Sequence, residues 1–72
     1  MPIPLSMAVP GTPARVNCVR GKDEVRRFLE NLGFVPGTPV TVITETGGNL
    51  IVAVRDARVA ISRGMANKIL VC

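Results

Sequence analysis

Apolar and polar residues alternate through Arg15-Val16-Asn17-Cys18-Val19-Arg20, and the β-branched bias of this run predicts a strand ending near Gly21. The alternation slips at the adjacent Cys18-Val19 pair. The period then changes: between Asp23 and Leu32, the residues Val25, Phe28, Leu29 and Leu32 fall at i, i+3, i+4 and i+7. That spacing is the stripe of a helix with one face on a core, and it assigns Phe28 to that core. Asp23 and Glu24 sit in the first turn, where the helix dipole favours negative charge. Asp23–Arg27 and Arg26–Glu30 are expected as i,i+4 ion pairs, and Gly33 supplies the left-handed residue that ends the helix.

Val35-Pro36-Gly37-Thr38-Pro39 must turn, because Pro36 presets φ for the second position of a type II turn and Gly37 accepts the positive φ required next. Alternation resumes in Val40-Thr41-Val42-Ile43-Thr44, Gly47-Gly48-Asn49 signals a hairpin, and Leu50 to Arg55 forms the returning strand. A second tight connection is expected at Asp56-Ala57. Arg58-Val59-Ala60-Ile61-Ser62 then alternates with Val59 and Ile61 inward. Arg63 to Asn67 is long enough for one helical turn, and Lys68 to Cys72 closes as a strand. The opening segment, with prolines at 2, 4, 10 and 13, is expected to lie extended across the domain, anchored by Leu5, Met7 and Val9. These elements describe a mainly β domain with one inserted α-helix: a small, partly open β-barrel with the helix plugging one end.

Seventy-two residues make one domain over 1–72 and leave it short of buried surface, so a staple or a partner would help it. Two cysteines, Cys18 and Cys72, and no histidine cannot build a four-ligand zinc site, and the thiols are expected to be free. Hydrophobic residues make up 47% of the chain, enough that apolar surface is expected to stay exposed and mark an interface. The longest apolar run, Leu50 to Val54, is far too short to cross a membrane, and Met1 to Ser6 has no leader-like pattern. The net charge of +4 is scattered rather than massed, which fits solubility better than a nucleic-acid footprint.

Catalysis has little to work with. The chain has no histidine or tyrosine, and its five carboxylates are accounted for by the helix surface and the hairpin turns. Gly47-Gly48 lacks the lysine and following helix of a phosphate loop. Stacking on bases would need exposed aromatics; the two present are Phe28, assigned to the core, and Phe34, assigned beneath the turn. No catalytic, cofactor-binding or metal-binding residue is therefore assigned.

The segment Arg27-Phe28-Leu29-Glu30-Asn31-Leu32-Gly33-Phe34-Val35-Pro36-Gly37-Thr38-Pro39-Val40 resembles the FeoA family, in which a helix ending Leu-Gly-Phe is followed by x-Pro-Gly-x-x-Val. Pro4-Leu5-Ser6, Arg20-Gly21, Gly47-Gly48 and Arg58-Val59-Ala60-Ile61 agree in order and spacing, so the resemblance covers almost the whole chain. It implies an SH3-like barrel in the cytoplasm, peripheral at the inner membrane through its partner. That partner would be the cytosolic portion of the GTP-dependent ferrous-iron permease FeoB. The implied role is regulation or assembly, not iron binding, which agrees with the lack of histidine and clustered carboxylates.

The partner surface is expected at the helix C-terminus and following turn: Arg26, Arg27, Leu32, Phe34, Val35 and Pro36. Leu32 and Phe34 also have the character of core residues. Three other readings compete. A nucleic-acid-binding barrel would show steep salt dependence, and a self-associating module would pair unpaired barrel edges into a homo-oligomer. The third is the domain type found in metal-dependent repressors, against which a start at Met1 without an upstream helix-turn-helix argues.

Overall fold

The computed structural model describes residues 1–72. Its strands are β1 (Ile3–Pro4), β2 (Ala14–Val19), β3 (Pro39–Thr46), β4 (Asn49–Val54), β5 (Ala57–Ser62) and β6 (Ile69–Val71). Its helices are α1 (Asp23–Leu32) and the single turn α2 (Arg63–Ala66). The strands form one antiparallel sheet in the order β1-β6-β2-β3-β4-β5. β1 and β5 remain as edges, so the barrel is open, as the element pattern predicts.

Two irregularities bend the sheet. Against β6, the register of β2 jumps between Val16 and Cys18, so the slipped alternation in the sequence is a bulge at Asn17. Against β4, β3 jumps between Val42 and Thr44, leaving Ile43 bulged and partly exposed. One cluster of thirteen buried residues fills the concave side, with Val40, Val42, Leu50, Val52, Val54 and Ile61 supplied by the β3–β5 meander.

Several details differ from the sequence reading. The opening segment is not extended throughout: Leu5–Met7 form a 3₁₀ turn, entered from Pro4, whose missing N–H is no loss at a helix start. Leu5 is fully buried, but Met7 and Val9 are about two-thirds exposed and anchor nothing. Phe28 is 51% exposed, because Leu29 takes the centre of the buried stripe with Val25 and Leu32 packed beside it. The tight turn between β4 and β5 is Arg55-Asp56, one residue earlier than expected, since Val54 pairs directly with Ala57. Asp23 pairs with Arg26 rather than Arg27, and Arg26 makes no ion pair with Glu30.

The free thiols follow from register. Cys72 lies beside Arg15, whereas Cys18 pairs across from Leu70, so the two cysteines sit on neighbouring strands and two residues apart along the ladder. That separation is too wide for a disulfide.

The two edges differ. β1 is two residues long and contains Pro4, which blunts it. β5 is six residues long with no proline and no bulge, so any strand-mediated self-association would have to run along β5. At the end of β5, the Ser62 hydroxyl accepts from the Met65 backbone N–H (3.2 Å) and caps α2. Within that turn Gly64 has a helical φ, and an added Cβ would meet nothing nearer than 3.9 Å. Gly64→Ala is therefore expected to raise stability by about 0.5–1 kcal/mol in urea denaturation; a loss instead would show that the backbone there needs glycine.

Candidate functional site

The end of α1 is built by a left-handed glycine. Gly33, at φ 113°, donates its N–H to the Glu30 carbonyl, and the Phe34 N–H returns to the Leu29 carbonyl at 3.0 Å. This is the Schellman arrangement, which directs the residue after the glycine back toward the last turn of the helix. Phe34 is accordingly at 0% exposure in the same buried cluster as Leu29. Phe34, expected at the partner surface, is placed with its ring supporting that surface from beneath.

The chain then turns sharply. The Thr38 N–H donates to the Val35 carbonyl (3.0 Å), with Gly37 at φ +89°, as the Pro36-Gly37 pair predicts. The turn is fastened to β2 by three further bonds. The Gly37 N–H donates to the Val16 carbonyl (2.8 Å), the Val16 N–H to the Thr38 carbonyl (3.0 Å), and the Arg15 guanidinium to the Gly37 carbonyl (2.8 Å). A turn held at this many points presents Val35 and Pro36 in a fixed position.

A cleft of about 220 Å³ opens between this turn, α1 and the end of β2, lined by Cys18, Val19, Arg26, Glu30, Phe34 and Pro36. Three of the six residues singled out in the sequence (Arg26, Phe34 and Pro36) meet here. Arg27, exposed and in no ion pair, stands apart from the cleft, as do half-buried Leu32 and Val35. Cys18, Val19 and Glu30 were missed; the one signal for the first two was the slipped alternation, which marks the bulge that turns them toward the cleft.

A second cleft of about 320 Å³ is lined by Thr38, Pro39, Thr41, Ala53, Arg55 and Asp56. No three His, Cys, Asp or Glu side chains come together anywhere in the chain. The arrangement offers a rigid turn beside two shallow clefts, with guanidinium and carboxylate groups on their rims. Such a surface suits binding an extended segment of another protein.

The FeoA domain family model matches residues 3–72. A crystal structure of an iron uptake regulatory protein, FeoA, superposes with a TM-score of 0.89 at 30% identity, covering 99% of this chain and 96% of that one. The zinc-complexed FeoA of Stenotrophomonas maltophilia superposes with a TM-score of 0.84 at 31% identity, covering 100% and 89%. That protein is described as a prokaryotic SH3 domain protein. A manganese-dependent transcriptional repressor shares the fold (TM-score 0.87) at 19% identity, with the match spanning 97% of this chain and 40% of the repressor. No curated protein sequence matches the chain. With an open six-stranded SH3-like barrel, a helix inserted after its second strand and a family match over nearly its full length, the chain belongs to the FeoA family, which is associated with ferrous-iron transport.

Proposed function

We propose that this chain is a non-enzymatic, cytoplasmic accessory protein that binds and regulates the ferrous-iron permease FeoB through protein–protein contact, reaching the inner membrane through that partner. The observation that carries the reading is the fixed Val35-Pro36 turn, held to β2 by backbone and arginine bonds while Pro36 remains exposed. A surface kept rigid and apolar at its crest loses little entropy on docking. The match over residues 3–72 supplies the context of ferrous-iron transport. No helix is long and apolar enough to cross a membrane, so contact with a permease would be made from one side.

The test is retention of the protein on the immobilised cytosolic portion of the ferrous permease from the same organism, at low and at high salt. Specific retention at both is expected. Arg27→Glu reverses the charge of an exposed arginine that has no partner within the chain. It is expected to leave the circular dichroism spectrum unchanged and to weaken binding about three- to tenfold at low salt. Unchanged affinity would remove α1 from the docking surface. Binding to bulk DNA or RNA in place of the permease, abolished by salt, would favour the nucleic-acid reading instead.

A further inference from the structure

Arg55 is the one non-glycine residue of the chain with positive φ, at 54°. The neighbouring hairpin solves the same two-residue problem with Gly47 and Gly48, at φ 56° and 83°, where glycine adopts the conformation without steric cost. An arginine in the left-handed region is strained, and such residues persist where something other than local stability keeps them.

The side chain lies beside the cap of α1 and its charge is unanswered. A Cβ placed on Gly33 would lie 3.4 Å from Arg55 Cδ and 3.5 Å from Nε, so the arginine stem crosses the cap of α1. Yet the guanidinium makes no ion pair and no hydrogen bond, although Asp56 is next in sequence and shares its cleft. Thr38 and Thr41 bring hydroxyls to the same cleft, which runs up to the foot of the Val35–Thr38 turn.

We infer that Arg55 is a partner-recognition residue whose guanidinium, beside the end of α1, receives a carboxylate side chain of the permease's cytosolic portion as it seats in the Thr38–Thr41 cleft. The inference rests on the proposed function and adds the chemistry of the contact. A planar guanidinium binds a carboxylate through two parallel N–H donors, a geometry lysine does not reproduce.

Two variants and two measurements test this: affinity of the full chain for the permease's cytosolic portion by calorimetry, and thermal unfolding of the chain alone. Arg55→Gly relieves the strained φ and is expected to hold or raise Tm while weakening binding at least tenfold. Arg55→Lys keeps the charge and loses the fork, and is expected to fall between the two in affinity. A lowered Tm for Arg55→Gly with affinity unchanged would overturn the inference and leave Arg55 as a cap for α1. Wild-type binding with undiminished Arg55→Gly binding would overturn it while sparing the docking role of the turn. Absence of wild-type binding would overturn both readings.

Discussion

Phe34→Ala is expected to remove most of the protein's margin of stability. The ring is fully enclosed and is the largest completely buried side chain in the domain. Truncating a phenylalanine in such a place costs about 3–5 kcal/mol, from lost transfer energy and the cavity left behind. A domain of this length has roughly 4–11 kcal/mol in total at ordinary stability per residue. The midpoint of thermal unfolding should therefore fall by at least roughly 12 °C, and part of the population should be unfolded at 37 °C. A drop of under about 4 °C would mean that the ring is not the keystone its burial indicates. Because the same ring floors the cleft beside Arg26 and Pro36, binding should be lost along with the fold.

Gly33→Ala is expected to be the most damaging glycine substitution. At φ 113° the backbone occupies a conformation that residues with a Cβ strongly avoid. The added carbon would also lie 3.1 Å from Val54 Cγ2, a side chain buried in the core with little room to give. Strain and overpacking together should cost about 2–4 kcal/mol in denaturant melts. Gly47→Ala is the control, since nothing lies within 4 Å of its new Cβ and strain acts alone. Equal losses at the two positions would show that the approach to Val54 contributes nothing.

What the residue pattern revealed depended on how local the cause was. Helix α1 came out with its boundaries intact because its stripe, its acidic first turn and Gly33 all lie within eleven consecutive positions. The Pro36-Gly37 turn was equally plain, as two residues define it. Phe34 is buried as its assignment beneath the turn expects, but Phe28 was harder, because periodicity alone places it on the buried stripe. Their fates are decided by the reversal of the chain at Gly33, which aims Phe34 inward and leaves Phe28 on the flank of the stripe. The Asp23 partner was misjudged for a similar reason: i,i+3 and i,i+4 arginines stand side by side, and spacing alone does not choose between them.

The candidate site was half visible. The turn and the arginines before it could be picked out, since proline, glycine and exposed charge are informative one residue at a time. The two clefts could not, because each is walled by segments distant in sequence: Cys18 and Val19 for one, Ala53 to Asp56 for the other. Arg55 in particular gives no sign in a string of letters that its backbone is left-handed. Only the direct pairing of Val54 with Ala57 forces it into the turn.

The position of β6 bears on how the chain is made. This strand lies between β1 and β2, so residues 69–71 hydrogen-bond to the earliest strands of the domain on both sides. During synthesis, β2 to β5 can pair as they emerge, but β1 has no neighbour until residues 69–71 have emerged as well. Formation of the sheet thus requires a long-range closure that joins Ile3–Pro4 to Leu70–Val71, a step that is slow relative to hairpin formation. Until then the nascent chain carries an unsatisfied β2 edge, with the Arg15 N–H and carbonyl awaiting Cys72, and this interval is when the domain is most open to chaperones and to aggregation.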